Sequence, residues 1–140
     1  MNDRDATPLT VDQATQAVAN VRARWVAAFH TADWPAMQSL YTSDAQLFGG
    51  KQSLYLGHAG VLRYFSSIPL TAQLSAAFDL PHIIAPTADT LVAAGFVQFG
   101  RDDGTPVRTY RMTQMLVRRA GQWLICSHHA SPKDAMTPDS

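Results

Sequence analysis

RMTQMLVRRAGQWLICSHHAS, residues 111–131, is the stretch of this sequence that decides the fold. Apolar and polar residues alternate on both sides of Ala120-Gly121, a pair that is typical of a tight turn. The stretch therefore predicts two antiparallel strands, Pro106–Arg118 and Trp123–Ala130.

The residues before this stretch also carry strand signals. A strand is predicted over Thr90–Gly100, and the turn sequence Asp102-Asp103-Gly104 joins it to the next strand. An earlier half-buried strand runs from Leu74 to Leu80, where apolar side chains stand at every second position. A brief strand is predicted over Ala45–Phe48. Helices first and antiparallel strands after form an α+β pattern.

The N-terminal part of the chain carries helical signals. Thr10-Val11-Asp12-Gln13 has the form of a capping box, and apolar residues then recur every three or four positions up to Ala28. These signals predict a helix over Val11–His30. A second, short helix is capped by Asp33, with Pro35 in its first turn. A third helix is marked by Val61, Leu62, Phe65 and Ile68.

The composition predicts one globular domain over residues 10–131, with flexible termini at 1–9 and 132–140. Of 140 residues, 46% are hydrophobic and 16% are charged. The 11 basic and 11 acidic residues cancel, so neither a nucleic acid nor a membrane is expected as a partner. Every acidic residue is Asp. Cys126 is the only cysteine, which excludes an intrachain disulfide and favours a cytoplasmic location.

The stretch over residues 111–131 resembles the R-x-T-x-V … G-x-W-x-I-V-x-x-H-x-S ending of SnoaL-like proteins in the nuclear transport factor 2-like superfamily. Leu80-Pro81-His82-Ile83 and Arg119–Trp123 are similar to bacterial relatives of the calcium/calmodulin-dependent kinase II association domain. The resemblance covers roughly Val11 to Ser131. It implies a cone-shaped α+β fold in which a curved antiparallel sheet wraps around N-terminal helices and encloses an apolar pocket. It also implies a homodimer through the convex sheet face.

The functional residues of these relatives carry over poorly. Steroid isomerases of this fold use a tyrosine on the first helix and two carboxyl groups on strands. The matching positions here are Trp25, Gly49, and Thr113 or Gln114, so their proton-abstraction dyad is absent. The pocket arginines of the kinase association domain fall on two amides, Gln98 and Gln114, and on an alanine. Amides do not bind a carboxylate as an arginine cluster does, so a neutral ligand is expected.

Strand alternation assigns the side chains of the last strands to two faces. By analogy with the superfamily, the concave face lines the pocket and the convex face packs against a second subunit. The predicted concave set is Phe96, Gln98, Met112, Gln114, Leu116, Leu124, Cys126, His128 and Ala130. The predicted convex set is Arg111, Thr113, Met115, Trp123, Ile125, Ser127 and His129.

His128 is the predicted catalytic residue, as a neutral imidazole suited to a general base, with Gln114 beside it. Two alternatives stay open: a packing role for His128, and a reversed register that turns His129 inward. Neighbouring strand residues point to opposite faces, so these two histidines cannot share an ion and no metal is predicted. The expected ligand-binding residues are Trp25, Phe29, Phe48, Val61, Phe65, Phe96, Gln98, Met112 and Cys126.

Two functions fit these observations. The first is a homodimeric pocket protein for a small neutral apolar or aromatic molecule, which as an enzyme would catalyse isomerisation, cyclisation, dehydration or hydrolysis by acid–base chemistry. The second is a non-catalytic ligand-binding or oligomerisation module. No cofactor is expected, because the sequence has neither a Gly-rich phosphate loop nor a Cys/His cluster.

Overall fold

The computed structural model describes residues 7–68 and 74–139. Helices and strands are mixed in the first half of the chain, and the second half consists mostly of strands. The elements are α1 Val11–His30, α2 Trp34–Gln38, β1 Tyr41–Phe48, β2 Leu54–Leu56, α3 Gly57–Ser66, β3 Leu74–Phe78, β4 His82–Thr87, β5 Thr90–Arg101, β6 Pro106–Arg119 and β7 Gln122–Pro132, followed by a 3₁₀ turn, Lys133–Ala135.

The strands of the described residues form one curved, unclosed sheet in the order β2-β1-β7-β6-β5-β3, with β4 also paired to β5. Every pair is antiparallel except β1 with β7, which run parallel. The predicted α+β architecture is confirmed. Strand β1 is separated from the later strands by β2 and α3, so no hairpin joins it to β7 and it can lie parallel to β7.

Helix α1 has the predicted bounds and the predicted cap. The Thr10 hydroxyl accepts the Gln13 N–H at 3.0 Å, and the Gln13 side chain accepts the Thr10 N–H at 2.9 Å. One apolar stripe of the helix is buried against the inner face of the sheet and anchors the core. The buried residues are Ala14, Ala17, Val18, Val21, Arg22, Trp25, Ala28 and Phe29. Arg22 is the charged exception within that stripe.

Strand β7 contains a bulge, which the sequence analysis did not predict because it assumed strict alternation. Met115 pairs with Ser127 and Leu116 pairs with Ile125, so Cys126 is an extra residue without a partner on β6. Because of this extra residue, the side chains that precede it on β7 point to the face opposite to the one predicted by strict alternation. Ile125 is therefore in the core rather than on the convex face, and the prediction of Cys126 as a pocket residue is wrong.

Strand β5 faces the opposite way from the prediction. Directly paired residues in an antiparallel ladder share a face, and Ala93 is the partner of the buried Gln114. Ala93 and Val97 therefore point into the core, whereas Phe96 and Gln98 lie on the outer face. The predicted placement of Phe96 and Gln98 in the pocket is wrong because the register was assumed one residue out of step.

Strand β1 is longer than predicted, and it places Phe48 on the outer face of the sheet. It begins at Tyr41, and Leu47 pairs with His128 while Phe48 pairs with His129. Leu47 is buried, and Phe48 is 42% exposed with its ring 5.4 Å from that of His129. The prediction of Phe48 as a pocket residue is therefore also wrong.

The sheet extends almost to the C-terminal end of the described residues. Strand β7 continues to Pro132, one residue beyond the predicted domain boundary. Residues 1–6 and 140, which belong to the predicted flexible termini, lie outside the described residues. Within the described ranges, no helix combines the length and apolar character needed to cross a bilayer.

Candidate functional site

A cavity of about 370 Å³ lies between α1, α3 and the inner face of the sheet. Its walls are mainly aromatic and aliphatic, as is common for small-molecule sites. They comprise Trp25, Phe29, Gly50, Lys51, Tyr64, Phe65, Ile68, Leu74, Phe99, Val107, Arg108, Tyr110, Met112, His128 and Ala130. No carboxylate from the described residues belongs to this lining.

His128 reaches this cavity from the centre of the sheet. It is paired with Gln114 on β6 and with Leu47 on β1, and it is only 4% exposed. His129 is exposed on the outer face, so the register keeps His128 as the inward histidine. The His128 Nδ1 atom lies 2.9 Å from the Tyr41 hydroxyl and 3.4 Å from Nε2 of Gln114.

The hydrogen-bond network defines the tautomer of His128. The indole N–H of Trp25 can only donate, and it donates to the Tyr41 hydroxyl at 3.0 Å, which leaves the Tyr41 proton for His128 Nδ1. The Arg22 Nε–H donates to Oε1 of Gln114 at 3.1 Å, so the Gln114 amide also turns its NH₂ toward Nδ1. Nδ1 is therefore an acceptor. The proton of the neutral ring is thus assigned to Nε2, which makes no hydrogen bond to the described residues, and the His128 ring is part of the cavity lining.

The charge state of His128 follows from its surroundings. Burial in an apolar environment, the Arg22 cation and His129 together lower the pKa of His128 from 6.5 to about 3. The imidazole is neutral at pH 7, in agreement with the expectation from its apolar neighbours. The general-base hypothesis, however, meets an obstacle: the basic lone pair on Nδ1 faces Tyr41 and Gln114 rather than the cavity.

Gln114 supports His128 from behind rather than lining the cavity. Its side chain is completely buried and bridges Arg22 and His128. Burial of the phenol raises the pKa of Tyr41 well above its ordinary value, so Tyr41 also stays protonated. The network is therefore a set of neutral donors and acceptors terminated by one cation, Arg22.

Arg22 is the functional candidate that the sequence analysis missed. It is 5% exposed, and its Cζ lies 4.3 Å from the ring centre of Phe78. Burial lowers the pKa of Arg22 to about 10, and the nearby Asp79 partly offsets this effect. A signal was present in the sequence: Arg22 stands four residues after Val18 and three before Trp25, on the apolar stripe of α1.

The structure brings together four of the nine predicted ligand-binding residues: Trp25, Phe29, Phe65 and Met112 line the cavity. Val61 is fully buried in the core without lining it. Phe48, Phe96, Gln98 and Cys126 are not in the lining. Cavity residues that the sequence analysis missed include Lys51, Tyr64, Phe99, Arg108 and Tyr110. Correct pairing of β5 with β6 would have indicated Phe99, which shares a face with Val97.

The outer rim of the cavity carries hydrogen-bond donors. The Tyr64 hydroxyl accepts the Gly50 N–H at 2.8 Å, and the Tyr64 ring lies so close to Gly49 that a side chain there would overlap it. Lys51 and Arg108 contribute cations, of which Arg108 is paired with Asp134 at 3.0 Å. The cavity thus has an apolar body, a neutral donor at its inner end and a polar rim.

Comparisons with known proteins agree with this architecture. The sequence profile of the SnoaL-like domain matches residues 18–135. No curated protein matches the chain. A Xanthomonas campestris protein named as a calcium/calmodulin-dependent protein kinase II association domain is similar over 100% of this chain and 99% of its own, with 24% identity and a TM-score of 0.76.

Two further solved structures share the fold. A Nostoc punctiforme protein of unknown function with a cystatin-like fold has a TM-score of 0.81 and 12% identity, covering 93% of this chain and 98% of its own. A Streptomyces avermitilis protein named as a dehydratase of the NTF2-like family has a TM-score of 0.74 and 20% identity, covering 88% and 98%. At these identities the likeness shows the fold alone.

Proposed function

Since the chain belongs to the SnoaL-like domain family, we propose that it binds a small, neutral, apolar or aromatic molecule that carries a hydrogen-bond acceptor such as a carbonyl oxygen. The observation that carries this proposal is the hydrogen bonding of His128. With Nδ1 occupied by Tyr41 and Gln114, the ring offers Nε2–H at the inner end of an apolar cavity.

The ligand class follows from the lining. Aromatic and aliphatic walls favour an apolar body, and an N–H donor in the cavity lining favours a hydrogen-bond acceptor on the ligand. Among the described residues, none hydrogen-bonds to Nε2 of His128. A neutral donor in surroundings of low polarity polarises a carbonyl more strongly than it would in water. A charged carboxylate beside His128 would instead lose its hydration without meeting a full positive charge, because the cations Lys51 and Arg108 lie at the rim.

Catalysis is the second candidate function, and the same N–H favours it. A neutral imidazole can act as an electrophile that stabilises negative charge on a substrate oxygen, which suits isomerisation or elimination next to a carbonyl. The similar Streptomyces avermitilis structure is named as a dehydratase. In this arrangement His128 is the donor, not the base. No Asp in the described ranges lines the cavity, so binding remains the function that the geometry supports best.

A homodimer and a cytoplasmic location belong to the same proposal. The predicted convex face, through which a dimer was expected, included Trp123, Ile125 and Met115, but Ile125 is in the core. The outer face instead exposes Phe48 and Phe96, at 42% and 40%. These exposed aromatic side chains support a self-contact between two sheets.

The decisive experiment compares two ligands that differ only in the acceptor, 2-acetylnaphthalene and 2-ethylnaphthalene, by isothermal titration calorimetry. We expect the ketone to bind roughly ten-fold more tightly, and its carbonyl stretching frequency to fall on binding. His128→Leu should abolish that preference, and His129→Leu on the outer face should keep it. Near-UV circular dichroism checks that both variants fold. Equal affinities for the two ligands in the unmodified protein would contradict the proposal.

A further inference from the structure

The guanidinium of Arg22 lacks partners for most of its donors. Its Nε–H donates to Gln114, but Nη1 and Nη2 are buried and have no hydrogen-bond partner among the described residues. A buried cation with unsatisfied N–H groups is costly, because it has lost its hydration without a full replacement. Such an orphaned group usually marks a site for a water molecule, an ion or a ligand.

A second cavity, of about 330 Å³, has Arg22 in its lining and shares no lining residue with the first cavity. It lies between α1 and the segment that leads from β3 to β4. Apolar groups dominate its walls, which comprise Thr15, Val18, Ala19, Arg22, Phe78, Asp79, Leu80 and Pro81. Leu80 is 87% exposed and stands at the outer edge, so this side chain has room to move aside.

Asp79 does not neutralise Arg22 directly. Its Oδ1 atom accepts the Phe96 N–H at 2.9 Å, and its carboxylate makes no hydrogen bond to Nη1 or Nη2. Its charge lies near enough to favour the protonated form of Arg22. The guanidinium therefore stays charged, with one ring, Phe78, against its face and no anion at its terminal nitrogens.

We propose that Arg22 binds the carboxylate of a small apolar acid that enters this second cavity. The planar Nη1/Nη2 edge matches the two oxygens of a carboxylate, which can form a pair of parallel hydrogen bonds. The apolar walls favour an aryl or alkyl substituent over a strongly hydrated phosphate. The ligand replaces the missing hydrogen bonds after a small displacement of a wall side chain. This site takes a different ligand from the one proposed for the His128 cavity, although Arg22 also donates a hydrogen bond to Gln114 of the His128 network.

The test uses benzoate and its neutral counterpart benzamide on the unmodified full chain, at constant ionic strength set with chloride. Calorimetry should detect benzoate, and thermal denaturation should show a rise in Tm with benzoate that benzamide does not produce. Arg22→Met should weaken benzoate binding roughly ten-fold or more. Arg24→Met removes an exposed cation from the same helix and should leave benzoate binding unchanged.

Two further variants keep the outcome decisive. Arg22→Lys retains the positive charge but loses the two parallel N–H donors of the guanidinium, so it should bind benzoate more weakly than the unmodified protein. This variant replaces Arg22→Met as the test if Arg22→Met does not fold. Asp79→Asn keeps an oxygen acceptor for the Phe96 N–H but removes a negative charge from the cavity, and it should strengthen benzoate binding. Equal Tm shifts for benzoate and benzamide, or undiminished binding in the Arg22 variants, would overturn the proposal, as would the absence of any benzoate binding.

Discussion

The hydroxyl of Tyr41 lies 2.9 Å from Nδ1 of His128, and this contact determines which nitrogen of the neutral imidazole carries the proton. Because Trp25 already donates to the same hydroxyl, the phenol proton turns to the histidine. The ring then presents its N–H to the cavity rather than its lone pair. A buried phenol with a raised pKa resists giving up its proton, so the network favours hydrogen bonding over net proton transfer.

Removal of this donor tests the network. In Tyr41→Phe, both Trp25 Nε1 and His128 Nδ1 lose a partner in the core, and we expect the free energy of unfolding to fall by about 1–3 kcal/mol. Urea denaturation measures this change. The control is Tyr55→Phe, because the Tyr55 hydroxyl makes no hydrogen bond within the described residues and should contribute little. Equal stabilities of the two variants would contradict the network.

The pH dependence of stability follows from the lowered pKa of His128. Between pH 6.5 and about 3 the unfolded chain binds a proton at this histidine and the folded protein does not. His128 therefore makes the free energy of unfolding decrease as the pH falls through that range, by up to about 1.4 kcal/mol per pH unit.

Urea denaturation at a series of pH values measures this slope. His128→Gln should flatten it, whereas His129→Gln on the outer face should retain it. If all three proteins lost stability in parallel below pH 6.5, His128 would not be the buried neutral group described above.

Gln114→Glu should change the chemistry of His128. The new carboxylate would pair with Arg22 and place a negative charge where the Gln114 amide now lies, 3.4 Å from Nδ1. We expect the pKa of His128 to rise from about 3 toward its ordinary value and the proton of the neutral ring to move to Nδ1. Nitrogen-15 NMR of the imidazole reports both changes. Gln98→Glu on the outer face is the matched control and should change neither.

The sequence predicted the helices well because their signals are local. The capping box at Thr10 and the stripe that leads to Trp25 define α1 without reference to any distant residue. The strands are a different case, since the facing of a residue depends on pairing. A single unpaired residue, Cys126, and one step of register in β5 were enough to move Ile125 inward and Phe96 outward.

The candidate site was predicted in part for the same reason. His128 follows the bulge on β7, and Met112 lies on the neighbouring strand β6. In this part of the sheet the strands alternate regularly, so both residues were predicted on the correct face. The partners of His128 come from α1 and β1, far away in the sequence, and a single sequence offers no means of pairing Tyr41 with His128. Arg22 was visible as a charge within an apolar stripe, but only burial shows that it is unsatisfied.

Gly49 controls the shape of the cavity rim. A Cβ atom at this position would overlap the Tyr64 ring, so Gly49→Ala should displace Tyr64 and break its hydrogen bond to the Gly50 N–H. Overpacking of this kind costs about 1–3 kcal/mol. We expect lower thermal stability and weaker binding of 2-acetylnaphthalene. Gln52→Ala in the same loop is the control, and ligand binding that survived in Gly49→Ala would show that Tyr64 does not shape the site.

The proposed dimer has a direct test. Light scattering at micromolar concentration should give twice the chain mass of 15.3 kDa. Phe48→Ser combined with Phe96→Ser should shift the mass toward the monomer, because these side chains are the exposed aromatic part of the outer face. Val11→Ser changes a more exposed apolar residue, at the start of α1, and should leave the mass unchanged. A monomer in the unmodified protein would refute the dimer.

The unpaired residue in β7 has a consequence for how this chain tolerates changes in length. Cys126 has no partner on β6, yet it separates two segments whose inward residues, Ile125 and His128, are three positions apart instead of two. Deletion of this one residue would leave Ile125 and His128 two positions apart, the spacing of a regular strand, so both side chains could stay inward opposite Leu116 and Gln114. At its present length without the bulge, the strand would place His129 on the face of Ile125 and turn His128 outward. The bulge therefore selects which of two adjacent histidines faces the cavity, without any change in either of them.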